Sequence, residues 1–563
     1  MRRKGLVALT LSLAICLCGC GSEPANYSEW IPDHSVGEVV KKAEEKEQFV
    51  YRNNIDGKNY SGPEKLTEKL LNKDADVADC LYRDQIINGA SYDLSEAIDS
   101  KRTILYVSDS EGNDRNTGLS PEKPKKSLPP LSEFASVAIL LKAGDTFPMD
   151  GYFYVGAETV IGSYGEGPRP ILDFTKKIEE PFVKIRETEN VWAVDLSKTD
   201  EGQSRDALNF GQLYIDGECN WNRYIVPAAE KDSINYGEFL EASGKNMWIA
   251  DGTHGVLYLY CTEDPNTKEI RYSSSRTGLQ LSIVNNVFVS DLDIRGISYD
   301  GISLRDCTDV VITNCRLKNI GGYVISGVSG RQGKGIVLSG TNRHVSIVNN
   351  YFEDIYAAGF SFGSLNVTDV DEDINISNNV FTHCYTGIEQ FSDASCIVGT
   401  TQVKYDNNIF YEMCDVTNPD TPAYADAKGE LIKKDLVYES FHYDNLYSYI
   451  TCANLTNLFT DGELSFTNNV CWSSNRFLMR LCTDYGYPAM SGNFFYNEVP
   501  SDKVCLFDLR AEAQPTVYVG TLANPEDVEM FPVVVQTTEE EVPAISEEAK
   551  GYIISCFKRM LGK

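Results

Sequence analysis

Basic residues are scarce in this chain. Of its 563 residues, 51 are Lys or Arg and 82 are Asp or Glu, a formal charge of −31. That balance excludes a nucleic-acid binder, because DNA and RNA demand a cationic footprint. It also disfavours a bare electrostatic grip on a polyanionic glycan, and a neutral glycan, or an acidic one bridged by a cation, is the better-matched partner. Histidine is rare too, with five in the chain. The sixteen cysteines include no CxxC pair and no zinc-ligand spacing, so no thiolate-built structural metal is expected. Several of them (Cys307, Cys315, Cys471) fall inside strand-like runs, where a small buried hydrophobe is expected and few or no disulfides follow. Beyond the first twenty residues no run is apolar enough to span a bilayer. Hydrophobic residues at 42% and charged residues at 24% are ordinary globular values, which exclude a collagen-like, mostly disordered or multi-span membrane chain.

What is present begins with an export signal. Arg2, Arg3 and Lys4 precede an apolar stretch from Leu6 to Leu17, too short for a comfortable membrane span. The stretch ends Leu17-Cys18-Gly19-Cys20, which resembles a bacterial lipobox. The resemblance implies cleavage before Cys20 and lipidation of its thiol. The expectation is an exported protein, lipid-anchored to the outer face of the bacterial cytoplasmic membrane, touching the membrane through that anchor only.

Residues 20–100 are polar and charge-rich, with helical composition at Val39–Lys46 and Glu64–Leu71, and read as a tether with short helices. The texture changes at Thr103, where strand-like runs such as Ile104–Val107 and Ala138–Leu141 begin. From about residue 287 a pattern recurs: apolar-x-apolar-x-Asn-Asn-x-apolar. Its copies are Val345–Phe352, Ile374–Phe381, Val403–Phe410 and Leu464–Cys471. Looser copies put Leu292, Cys315 and Asn493 in the slot of the second Asn. Successive slots are 23, 35, 29, 29, 61 and 24 residues apart, a solenoid signature with one long insertion.

Period-two alternation means strands, and a unit this short has no room for a crossover helix. The strands can coil instead, each turn stacking about 4.8 Å above the last with inward apolar side chains forming a continuous core. Asn suits the tight bend because it tolerates left-handed φ and bonds nearby backbone groups. Stacked in register, Asn350, Asn379 and Asn408 would form an internal amide ladder. A second column supports the same coil count: Asp300-Gly301-Ile302, Lys334-Gly335-Ile336, Ala358-Gly359-Phe360 and Thr386-Gly387-Ile388 each precede an Asn-type strand. On these strands Ile302, Leu304, Ile336, Leu338, Phe360 and Ile388 should point inward, leaving Ser303, Arg305, Val337, Ser361 and Glu389 outward.

These coils, with Gly112-Asn113-Asp114, Lys142-Ala143-Gly144-Asp145-Thr146 and Ile161–Pro170, resemble right-handed parallel β-helix proteins of the pectin-lyase-like superfamily. The likeness covers about residues 103–510. It implies an all-β, right-handed parallel β-helix with a short N-terminal helical segment and a C-terminal helix. The expected organisation is a signal at 1–19, a tether at 20–100, and the N-terminal part of the β-helix with its cap at 101–275. Regular coils follow at 276–510, and a C-terminal extension at 511–563. Within that extension Ala549, Tyr552, Ile553, Cys556, Phe557 and Met560 have amphipathic helical spacing, expected to pack on or cap the last coil.

The superfamily includes glycoside hydrolases, polysaccharide lyases, epimerases and non-catalytic adhesins. Neither the Trp-x-Asp-His motif of one pectate lyase family nor the Asn-Thr-Asp, Asp-Asp and Gly-His-Gly set of polygalacturonases is present. The resemblance therefore supplies a location, a cleft along the sheet of Gly-Ile strands, and no whole signature. Glu389 is the leading acid there, with Asp300 or Asp393 as its second carboxyl for hydrolysis. Lys334 or Arg305 with calcium, the candidate cofactor, would serve a β-elimination. His383 lies on the loop before Glu389. Asp371-Glu372-Asp373 is the calcium candidate, against a solvated turn. The long insertion at 411–447 is expected to fold over the cleft, with Tyr424, Tyr443 and His442 available to the sugar. The favoured reading is a monomeric, surface-tethered glycoside hydrolase acting on a polysaccharide or oligosaccharide. A Ca-assisted polysaccharide lyase and a non-catalytic glycan-binding lipoprotein are the alternatives.

Overall fold

The computed structural model describes residues 103–410 apart from gaps at 132–135, 151–152, 200–208, 222–234, 244–246, 253, 274–276, 325–330, 365–369 and 393–398, with isolated strand segments before and after. The export signal, the tether helices, most of the 411–447 insertion and the C-terminal helix expected from the sequence lie outside the described residues.

Three sheets of ten strands each make the solenoid, and a coil takes one strand from each. The first sheet holds the Gly-Ile strands, among them Ile302–Arg305, Ile336–Ser339, Ala358–Ser364 and Thr386–Ser392. The second holds Thr308–Thr313, Arg343–Val348, Val370–Ser377 and Gly399–Asp406. The third holds Arg316–Ile320, Tyr351–Ile355, Val380–Thr382 and Ile409–Tyr411. Pairing between coils is parallel and in register, so Ile302, Ile336, Phe360 and Ile388 form one column. All four are fully buried, as alternation requires. Phe352, Phe381 and Phe410 stack in the third sheet with centroids 4.5 and 5.0 Å apart and planes 9° from parallel.

The two asparagines of each repeat divide the work. The first takes the left-handed bend: Asn349, Asn378 and Asn407 have φ of 60°, 58° and 60°. The second turns inward and builds the expected ladder. Asn379 Oδ1 accepts from both the backbone N–H (2.9 Å) and Nδ2 (3.1 Å) of Asn350. Asn408 does the same for Asn379 at 3.0 Å each, and Asn469 for Asn408 at 2.8 and 3.0 Å. Every rung is buried, so these bonds satisfy polar groups that water cannot reach.

The Gly column has a sharper cause than entry from a loop. A Cβ on Gly301 would sit 2.6 Å from the Gly335 carbonyl oxygen, and one on Gly335 would sit 2.4 Å from that of Gly359. Only a residue without Cβ lets one coil rest on the next at this corner. Cys307, Cys315 and Cys384 are unpaired and fully buried, the small-hydrophobe role expected for the first two.

The span assigned to the N-terminal part of the β-helix contains something else. Phe153–Val155, Val160–Tyr164 and Ile171–Asp173 stack directly on Leu279–Ser282, Asn285–Ser290 and Asp293–Ile297. Between these successive coils, residues 175–273 form two antiparallel four-stranded sheets and the helix Tyr236–Ser243. They have their own core around Leu213, Trp248, Leu257 and Leu259. The insert docks where Gly211 N–H donates to Ser298 Oγ (2.9 Å) and Gln212 Nε2 to the Gly321 carbonyl (2.9 Å). A Cβ on Gly211 would meet the Gly321 oxygen at 2.2 Å, so this approach needs glycine. Trp221 packs on Tyr356 at 5.6 Å between centroids, placing the insert beside the edge where chains enter the first sheet.

Connections into the first sheet differ in length. Two residues precede Ala358 and three precede Thr386, but fifteen precede Ile336 and twenty-seven precede Glu439. Short connections thus leave the middle strands, including the one bearing Glu389, between longer neighbours.

Candidate active site

One column of the first sheet's outward face reads, in register, Gln280, Ser303, Val337, Ser361 and Glu389, and the backbone register continues to positions 442 and 480. Alternation explains the membership, since Ile388 is fully buried and the next residue must face away. Ser361 Oγ donates to Glu389 Oε2 at 2.7 Å across the strand pair. That bond fixes the carboxylate on a rigid floor, which a loop could not do as well.

Asp300 stands at the entry edge of the same sheet, one residue before the Gly column. It is 9% exposed, and its Oδ1 accepts the Lys334 backbone N–H at 2.9 Å. Burial pushes its pKa above the ordinary carboxylate range. The Lys334 ammonium and backbone N–H pull the other way, and the Glu389 charge adds to the upward push. Asp300 is thus biased toward keeping its proton, and Glu389 stands three coils further along the same sheet, where Ile302, Ile336, Phe360 and Ile388 follow one another. Because the folded state holds that proton more tightly than the unfolded chain, this group's contribution to stability falls as pH rises through and above the usual Asp range. In Asp300→Asn that slope should shrink, read as urea midpoints between pH 4 and 7. An unchanged pH profile would show that Asp300 keeps no proton in the fold.

The other candidates separate. Arg305 is at the far end of its strand, 69% exposed, 3.6 Å from Asp306. Asp306 in turn accepts from the Thr341 backbone N–H at 2.9 Å. His383 Nδ1 lies 3.4 Å from Asp354 of the preceding coil. His442 pairs with Glu389 in register, whereas Tyr443 takes the column of Gln390, whose side chain is buried and accepts from Tyr405 at 2.8 Å. Tyr424 and Asp393 lie outside the described residues. Two positions escaped the sequence reading: Arg480, in the Glu389 column, and Asp444, two residues beyond His442 on the same strand. Their signal was the alternation of Glu439–Asp444 and Met479–Cys482, which carries no Asn-Asn bend to set its phase.

The calcium candidate disperses. Asp371 accepts from the Asn342 backbone N–H at 3.0 Å, Glu372 pairs with Arg343 at 3.2 Å, and Asp373 meets His344 at 2.9 Å. Each acid thus faces a different residue of the coil below. Among the described residues no group of three acids, His or Cys is placed to hold a metal ion.

Residues 269–410 match the family model described as a right handed beta helix region. The chain contains a right-handed parallel β-helix. Among solved structures it resembles the GH136 lacto-N-biosidase from Eubacterium ramulus, at 12% identity and a TM-score of 0.40, covering 73% of this chain and 58% of that one. This chain thus spans little more than half of that protein. It also resembles an alginate lyase from Paenibacillus sp. (11% identity, TM-score 0.32, 73% of this chain and 100% of the other). An exopolygalacturonase from Thermotoga maritima aligns at 10% identity and a TM-score of 0.30, over 79% and 99% of the two chains. No curated protein matches the chain. Likeness at this level says nothing of this chain's activity.

Proposed function

We propose that the first-sheet groove is the active site of a carbohydrate-active enzyme of glycoside hydrolase type. The observation that carries this reading is Glu389, held on the sheet floor by Ser361, with the more deeply buried Asp300 at the entry edge of the same sheet. Asp300, biased toward its protonated form, gives its proton to the glycosidic oxygen as the bond to the anomeric carbon breaks. Glu389, held by Ser361, either takes a proton from the attacking water or itself attacks the anomeric carbon. Inversion or retention in the product distinguishes the two.

The test is the purified ectodomain on a panel of oligosaccharides and polysaccharides, reading new reducing ends and the ultraviolet absorbance of unsaturated uronates. Reducing ends without absorbance support hydrolysis, absorbance would replace it by β-elimination, and silence in both would leave a binding protein. We further propose that the enzyme is tethered at the cell surface through lipid on Cys20. Cys20→Ala should then lose palmitate labelling and leave the membrane fraction, and labelling that persists would sink the tether.

A further inference from the structure

The outward column that carries Glu389 begins on an aromatic ring. Phe153–Val155 is the edge strand of the first sheet, and its Tyr154 is the register partner of Gln280. Phe153 and Val155 are buried in the core, so alternation turns Tyr154 outward, where it is 45% exposed. Of the four large hydrophobic residues exposed among those described, Tyr154 is the aromatic one and the one that lies in a strand of this sheet. A lone surface hydrophobe needs no explanation, but this one shares a column with Glu389.

Between the two ends the column carries no charge, its members being Gln280, Ser303, Val337 and Ser361. In the neighbouring outward column Ser282 and Ser339 flank Arg305, whose charge Asp306 offsets at 3.6 Å. A polyuronate presents a carboxylate on every ring and would call for cations repeating along the floor. A neutral chain asks for amide and hydroxyl groups beside an aromatic face, and this column offers both. The insert supplies a wall along the entry edge. Lys176 reaches Asp150 just ahead of the Tyr154 strand (3.4 Å), Gly211 and Gln212 bond the edge at Ser298 and Gly321, and Trp221 packs on Tyr356 beside Ala358. The wall thus accompanies the floor from Tyr154 to the strand that bears Ser361.

Five strand steps separate Tyr154 from Glu389, a span of about 24 Å. A pyranose chain advances by about one strand spacing per ring, so about five rings cover it. We propose, resting on the hydrolase reading above, that the groove takes a neutral glycan lengthwise and that Tyr154 is a distal subsite on which a ring stacks about five units from Glu389. Stacking joins the C–H face of a sugar to the face of the phenol ring. The site therefore selects chains long enough to span the floor and gains nothing from Tyr154 with shorter ones.

The test compares wild type, Tyr154→Ala and Tyr154→Phe on a size ladder of the neutral glycan that yields reducing ends in the panel. Affinity electrophoresis in gels cast with the panel's neutral polysaccharides runs beside it. In Tyr154→Ala the ratio of kcat/KM for octamer to that for trimer should fall roughly 10-fold, through KM, and Tyr154→Phe should restore it. An unchanged ratio, whether or not both rates fall, would overturn the subsite and leave the hydrolase standing. Retardation by a neutral polysaccharide that Tyr154→Ala abolishes, without turnover of any glycan, would keep the subsite and overturn the hydrolase. Turnover confined to polyuronates, retardation that survives in Tyr154→Ala without turnover, or neither retardation nor turnover would overturn the proposal.

Discussion

Glu389→Gln should reduce turnover of the glycan found by the panel by at least about 10³-fold while leaving the coil folded, because a lost base or nucleophile costs that much where surface changes cost little. The side chain is half-buried on the sheet floor, and its hydrogen bond from Ser361 (2.7 Å) can be kept by the amide oxygen of Gln. Urea midpoints should thus match wild type within error. Asp300→Asn should lower turnover by a similar factor and steepen the loss with leaving groups of poor basicity match, since the proton donor is then absent. If Glu389→Gln retains more than a tenth of wild-type turnover with the midpoint unchanged, Glu389 is not the reacting carboxylate. Ser361→Ala is the positioning control. It should lower kcat with little change in KM, because the carboxylate remains but its orientation is freed.

The second large effect lies in the ladder. Asn379→Ala should cost about 3–4 kcal/mol, because it strands the buried N–H of Asn350 and the carbonyl of Ile347 that the amide now satisfies. Asn378→Gly, one residue away, should cost less than about 1 kcal/mol. Its main requirement is the left-handed φ of 58°, which glycine adopts freely. Chemical denaturation of the two variants gives the comparison directly. Equal midpoints would mean that the inward amide does no more than its neighbour at the bend.

Much of the coil was legible because the chemistry repeats. The column of Asn350, Asn379 and Asn408 and the inward Ile302, Ile336, Phe360 and Ile388 follow from period-two alternation phased by a bend that only a few residue types can make. The same phasing put Glu389 on the outer face. The insert at 175–273 was not legible, because its antiparallel strands also alternate and nothing local marks where one solenoid turn is suspended and the next resumes. Asp300 and Glu389 were named as candidate carboxyls from the sequence, but the depth at which Asp300 is buried was not legible, because it depends on how the coil edge packs and not on spacing. His383 was placed beside Glu389 by sequence proximity. It turns to Asp354 because stacking brings a residue nearer to the coil below than to its own strand. Gln390 broke the apolar alternation for a reason in another sheet, the hydroxyl of Tyr405.

The suspended turn also sets an order of assembly. Phe153 must find Leu279 across 126 positions of sequence, whereas Ile302 and Ile336 are 34 apart. An unstructured loop of the longer kind costs roughly 1 kcal/mol more entropy to close. The insert removes that cost by its own pairing, for Thr175 and Ser273 are register partners and bring its two ends side by side. Coils from Leu279 to Tyr411 can therefore grow by short-range closure, while the join between Phe153 and Leu279 is made through a separate module.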